Sequence, residues 1–175
     1  MSFTLIVGPM FSGKSTELIR RCKRYISVGL RVLICNSKKD IRTKKNSVRT
    51  HDGDVVEALS VDEMCEEWLT RVSNDYDVIA FDEGQFYKNL PMIVKRLKET
   101  KHVIVSGLSG DYKREPWETI SNLIPLADDI IHTKALCVNC YNDAPFTKKI
   151  SSDGKKIDIG DTDKYIAVCN KCYIK

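Results

Sequence analysis

One eight-residue segment near the start, "GPMFSGKS" (8–15), limits the fold more than any other stretch of the chain. The apolar run "TLIV" (4–7) precedes it and stops at Gly8. Helical spacing begins after Lys14, with Leu18, Ile19, Cys22 and Ile26 on one side. The segment fits GxxxxGK[ST] in the setting that gives the pattern meaning: a buried strand, a glycine-bearing loop, then a helix. Glycines let successive backbone N–H groups curl around phosphate oxygens at the positive end of the helix. Gly8, Pro9, Met10, Phe11, Ser12, Gly13, Lys14 and Ser15 are therefore expected to cradle phosphates, with Lys14 reaching the β and γ phosphates and Ser15 on magnesium.

A loop of this kind belongs to an α/β domain, and the chain supplies the remaining units. "RVLIC" (31–35) follows a stop at Gly29, and "DVIAFDE" (77–83), "HVIVSGL" (102–108) and "DIIHTKA" (129–135) read as further strands. Ser60 with Glu63 reads as a capping box for a helix whose stripe is Met64, Cys65, Trp68, Leu69 and Val72. Asn89 and Pro91 open another, bearing Ile93, Val94 and Leu97. Strands that are apolar throughout, separated by helical segments, predict a parallel sheet covered on both faces, with ligands beyond the carboxyl ends of its strands. The phosphate loop, the carboxylates of "FDEGQF" (81–86) and "SGLSGDY" (106–112) all fall at that edge.

Asp82, at the end of a buried strand, fits the second magnesium anchor of a phosphate-loop protein. Glu83 is additional. A kinase whose acceptor is a hydroxyl needs a group to position that hydroxyl and take its proton, and Glu83 is the candidate. Because phosphoryl transfer has a loose transition state, its positioning matters more than its basicity.

From Leu136 onward the composition shifts to turn residues and cysteines, which predicts a boundary near Ala135 between a nucleotide-binding domain (1–135) and a small second domain (136–175). Seven cysteines are an odd number, and the pairs Cys137/Cys140 and Cys169/Cys172 favour metal ligation over disulfides in a reducing compartment. Four thiolates predict a structural, tetrahedral zinc site. Segment 141–168 between the pairs has 28 residues, against about 15–20 in an ordinary zinc ribbon, so the metal would staple the feet of a long loop. Cys22, Cys35 and Cys65 read as small core residues.

The net charge of +4 suits a protein that handles phosphates without demanding a nucleic-acid partner. "RRCKR" (20–24) reads as a solvated helix face and the basic stretch 38–49 as a surface loop. No apolar run approaches the roughly 18 residues of a membrane span, and "MSFTLIVGPMF" has neither a basic leader nor a cleavage site, so a cytoplasmic location is expected.

In "GPMFSGKSTELIRR", "THDG" (50–53), "FDEGQF", "NLIPLAD" (122–128) and "GDTDKYIAVCNKC" (160–172), in that order and spacing, the sequence resembles the zinc-containing, type II thymidine kinases over essentially its whole length. The resemblance implies a RecA-like core with a zinc-stapled lasso over the nucleoside, and transfer of the γ-phosphate of ATP to the 5′-hydroxyl of thymidine. It puts ATP on Gly8 to Ser15, with further contacts from Asp40, Ile41, Arg42, Asp82, Glu83, Gly84 and Gln85, and makes Glu83 the catalytic base. It puts Tyr112 against the thymine ring, and Met10, Leu108 and Thr147 around its methyl group. The base is held by the lasso segment Lys156, Ile157, Asp158, Ile159 and Gly160 and by Tyr165. It also implies feedback by thymidine triphosphate and a homotetramer. The sequence departs from the family pattern at "LSGDY" (108–112), where "LDGTF" is common, and at Asp161, which stands in place of a glycine.

Two other readings stand beside this one. A nucleoside monophosphate kinase with a zinc lid shares the loop, but its lid would interrupt the core and a phosphate acceptor needs no base. A RecA-like ATPase whose ribbon binds nucleic acid is opposed by Asp143, Asp153, Asp158, Asp161 and Asp163 in and around the long loop, which would repel phosphates.

Overall fold

The computed structural model describes residues 1–37, 47–49, 55–61, 64–150 and 163–174. In chain order its first strands are β1 (Ser2–Gly8), β2 (Val32–Ser37), β3 (Ser47–Arg49), β4 (Val55–Glu57) and β5 (Leu59–Val61). They are followed by β6 (Val78–Phe81), β7 (His102–Leu108) and β8 (Asp129–His132). Six of these form one parallel sheet in the order β5-β2-β6-β7-β1-β8, while β3 and β4 pair with each other. The strand that ends in the acids, β6, is separated from the loop strand β1 by β7, the RecA-like arrangement.

Alternation explains why both faces need cover. Phe3, Leu5, Leu33, Cys35, Ile79, Phe81, Val103 and Val105 share one core, and Ile6, Ile34, Val78, Ala80 and Ile104 share the other. The helices α1 (Lys14–Ile26), α2 (Glu66–Asp75), α3 (Leu90–Leu97) and α4 (Glu118–Leu123) supply that cover. Leu18, Ile19 and Cys22 of α1 lie on the second core, whereas Trp68, Leu69, Ile93, Val94 and Leu123 of the other helices lie on the first. Each fully buried Leu, Ile or Phe contributes about 1.5–3 kcal/mol, so this two-sided burial is what holds the carboxyl edge rigid.

Beyond the sheet come β9 (Ala135–Leu136), β10 (Asp143–Ala144), β11 (Phe146–Lys149), β12 (Tyr165–Val168) and α5 (Asn170–Ile174). β9 pairs antiparallel with β10, and β11 with β12, around Ala135, Cys137, Ala144, Ala167 and Val168.

Three local expectations fail. Ser60 lies in β5, beside β2, and α2 begins at Glu66 with no side-chain cap, so Ser60 does not cap it; Glu63 lies outside the described residues. Cys65 is the exposed N-cap of α2 rather than a core residue. Ile26 ends α1 beyond the sheet and is 54% exposed. In each case a short-range pattern continued one turn or one strand past the surface that could bury it.

Candidate active site at the carboxyl edge

The loop after β1 is set by backbone geometry. Gly13 has φ 75° and Phe11 φ 64°, both left-handed, which bends the chain into a cup ahead of α1. Gly8 is required by proximity, because a Cβ there would stand 2.3 Å from Thr133 Oγ1 and 2.6 Å from Thr133 O. Helix α1 has no side-chain cap, so its first-turn N–H groups face the cup. Lys14 is buried and donates to Pro9 O at 2.5 Å. The N–H of Met10 donates to Thr147 Oγ1 at 3.0 Å, so residues 137 positions apart fix the cup together.

The two acids after β6 are placed differently although adjacent. Ser15 Oγ donates to Asp82 Oδ1 at 3.1 Å, and Ser106 Oγ makes a short hydrogen bond to the same oxygen. Burial, then the charge of Glu83, push the Asp82 carboxyl up to about 6 against the opposing Ser106 and Ser15 hydroxyls and the Lys14 ammonium. Glu83 has φ 54°, a left-handed conformation that costs a non-glycine residue about 1–3 kcal/mol. Gln85 holds it there: Nε2 donates to Glu83 Oε2 at 2.5 Å, while Gln85 Oε1 accepts the Leu108 N–H at 3.1 Å. Gly84 packs under this turn, where a Cβ would lie 2.6 Å from Val105 Cγ1.

The turn after β7 closes the edge. Asp111 accepts the N–H groups of Lys113 and Glu115 on Oδ1 at 2.8 and 2.9 Å, so the unusual aspartate of "LSGDY" organises the turn that presents Tyr112. Lys149 Nζ lies 5.5 Å from the Tyr112 ring centroid and 6.0 Å from that of Tyr165, so the turn after β7 and β12 bring these two aromatic residues around one cation of β11. The sequence offered no signal for Lys149. Trp117, also unassigned by sequence, packs edge-on to Phe86 with ring centroids 6.2 Å apart. An apolar groove of about 420 Å³ lies away from the acids, between Phe11 and Leu136, Val138 and Tyr165. Asp40, Ile41, Arg42, Lys156, Ile157, Asp158, Ile159, Gly160 and Asp161 lie outside the described residues, as does "THDG".

The sulfur atoms of Cys137, Cys140, Cys169 and Cys172 all lie within 4.8 Å of one another, with Cys140 and Cys169 at 3.5 Å. Zinc–sulfur bonds of about 2.3 Å in a tetrahedron require sulfur separations of about 3.8 Å, so the quartet lies within about 1 Å of the spacing that a tetrathiolate ion needs. The thiols differ in how readily they ionise. Burial opposes ionisation of Cys137, but the N–H groups of Cys169, Asn139 and Cys140 and the Cys140 thiol outweigh it and bring the thiol down to about 6. Cys172 is pushed up to about 12, first by its hydrogen bond with Cys169 and then by burial. Four thiolates at this spacing need a cation among them.

The comparisons bear on this arrangement as a whole. The family model for thymidine kinase matches residues 1–173. A thymidine kinase of Myxoma virus (strain Uriarra) is 41% identical over 170 residues, covering 97% of this chain and 94% of that protein. The thymidine kinases of Variola virus (isolate Human/India/Ind3/1967) and Vaccinia virus (strain Western Reserve) are each 39% identical over 171 residues, covering 97% of this chain and 95% of theirs. Among solved structures, domain III of the Thermotoga maritima replication initiation protein DnaA aligns at TM-score 0.45 and 11% identity, over 75% of this chain and 54% of that one. With that family match spanning the phosphate loop, the paired acids and the cysteine quartet alike, the chain belongs to the thymidine kinase family.

Proposed function

We infer that the protein transfers the γ-phosphoryl group of ATP to the 5′-hydroxyl of thymidine, making thymidine monophosphate in the salvage of DNA precursors. The observation that carries this reading is the division of labour between neighbouring acids beside the phosphate loop. Asp82 accepts from Ser15, whereas Glu83 stands on a left-handed backbone and accepts from Gln85. A phosphate acceptor brings no alcohol proton to remove, so the monophosphate kinase reading leaves Glu83 without a task.

In this reading Gly8 to Ser15 surround the phosphates, and the Lys14 ammonium exchanges Pro9 O for phosphate oxygens. Ser15 and Asp82 present an oxygen pair suited to a hard cation; they would hold magnesium, which supplies neutralisation of the β and γ phosphates. Glu83 accepts the 5′-hydroxyl proton as that oxygen bonds to the γ-phosphorus and ADP departs. Gln85 keeps the carboxylate in line, which is the larger contribution for a loose transition state. Asp40, Ile41, Arg42 and Gly84 complete the ATP contacts. Met10, Leu108, Tyr112, Thr147 and Tyr165 receive the nucleoside, together with Lys156 to Gly160. The cysteine quartet would hold zinc, supplying a closed tetrahedral anchor for a second domain that begins after Ala135.

We also propose thymidine triphosphate as a feedback ligand, a homotetrameric assembly and a cytoplasmic location, with neither nucleic acid nor membrane as partner. No helix of the described residues is long and apolar enough to cross a membrane. The deciding experiment follows labelled phosphate from ATP to thymidine, deoxyuridine, deoxycytidine and thymidine monophosphate. Thymidine should be the best acceptor, and deoxyuridine poorer by about 10- to 200-fold through loss of one methyl contact. Deoxycytidine should be worse still, because its reversed edge leaves buried groups unpaired. No transfer to thymidine, or preferential transfer to its monophosphate, would overturn the reading.

A further inference from the structure

The helix that carries the last cysteine ends against the turn that carries Tyr112. Tyr173, next to Cys172, donates its hydroxyl proton to the backbone carbonyl of Tyr112, at 2.7 Å. The Arg114 guanidinium of the same turn lies 4.2 Å from the Tyr173 ring centroid and 5.3 Å from that of Phe146, and it donates to Asn170 Oδ1 at 3.1 Å. Phe146 and Tyr173 meet edge to face, with centroids 6.0 Å apart. Lys148 of β11 closes the far end of α5 by donating to the carbonyls of Cys172 and Tyr173 at 3.2 and 3.1 Å.

These contacts form a continuous path. Cys169 and Cys172 fix α5, and α5 fixes Tyr173. Tyr173 then fixes the turn twice, through the Tyr112 carbonyl and through the ring on which Arg114 stacks. Arg114 has φ 66°, a left-handed conformation that persists only where surroundings over-determine it, and its contacts with the two edge-to-face rings and with Asn170 do so. The Asp111 hydrogen bonds shape the turn from within but do not attach it to the rest of the fold. α5 attaches it through Tyr173 and Asn170, beside the contacts of Phe146 and Lys149 of β11.

We propose that Tyr173 and Arg114 are positioning residues for the nucleoside site: the cysteine-anchored helix clamps the turn that presents Tyr112. This rests on the assignment of Tyr112 to the nucleoside made above. The contacts of Tyr173 and Arg114 run to the Tyr112 turn, Asn170 and Phe146, so the clamp acts on nucleoside binding and not on ATP. It also gives the metal quartet a second task beyond closing its own loop, because displacement of α5 would release Tyr112.

Trp117, the N-cap of α4, stands three residues after Arg114, and Trp68 is on α2, so in a Trp68→Phe background the indole emission reports the end of the turn. Tyr173→Phe and Arg114→Gln are made in that background in the full-length protein, with zinc content measured on each preparation. The expected result is thymidine binding weakened by about 2- to 10-fold, as for loss of one hydrogen bond. Acrylamide quenching of Trp117 should rise, while ATP affinity, kcat and zinc stoichiometry stay unchanged. Unchanged thymidine affinity and unchanged quenching in both variants would overturn the clamp, as would an equal loss of ATP affinity. If the parent protein neither binds nor phosphorylates thymidine, the functional reading falls by itself. The quenching comparison then still judges the attachment: a rise supports it, and no change removes it.

Discussion

Replacing Asp82 by asparagine should make the unliganded protein more stable while abolishing its turnover. Asp82 is 4% exposed, and burial together with the neighbouring Glu83 charge lifts its carboxyl from the ordinary 3.8 to about 6. The folded protein therefore holds this proton more tightly than the unfolded chain. The stabilisation is complete below about pH 4, where both states are protonated, and is lost as pH rises through about 6. At about 1.4 kcal/mol for each tenfold change in proton affinity, ionised Asp82 costs about 3 kcal/mol at pH 8. The Asp82→Asn side chain keeps a carbonyl to accept from Ser15 and Ser106 and carries no charge to desolvate. Calorimetric melting from pH 4 to 8, without added magnesium or nucleotide, should show the two proteins close together at pH 4. They should separate by about 6–12 °C at pH 8, the variant melting higher. A separation that does not change with pH, or a wild type that is the more stable at pH 8, would refute the argument that this carboxylate stores unfavourable energy until a cation binds.

Two further substitutions probe neighbouring parts. Glu83→Gln should lower kcat by about 10²–10⁴ while equilibrium binding of thymidine, measured without ATP, changes little; retained turnover would remove Glu83 from proton transfer. Gly8→Ala should cost about 1–3 kcal/mol of stability, read by urea titration, because the new methyl meets the Thr133 backbone carbonyl as well as the Thr133 and Ser12 hydroxyls.

The parts of this molecule that were legible in its sequence are those written in consecutive residues. The phosphate loop, the acids ending β6 and the two cysteine pairs each fit a spacing rule, and the structure brings the four cysteine sulfurs together. The β5 strand was not legible, because three residues pairing at a sheet edge leave no periodicity, and Ser60 with Glu63 mimics a helix start. Cys65 and Ile26 show the other error, a stripe extended past the surface that buries it. Gln85 was visible as a residue near the acids, but its grip on Glu83 depends on Leu108 of another strand. The contacts of Thr147 with Met10 and of Tyr173 with Tyr112 join distant parts of the chain and exist only once the sheet is assembled.

The hydrogen bond from Met10 to Thr147 has a consequence for synthesis. The loop proposed to hold phosphate leaves the ribosome well before the threonine that helps set its shape, which follows 137 positions later. β1 likewise lacks both sheet neighbours until β7 and β8 have been made. A nascent chain therefore carries this loop unfinished until Thr147 has been made, and its shape is set only when the later segment closes onto the earlier one.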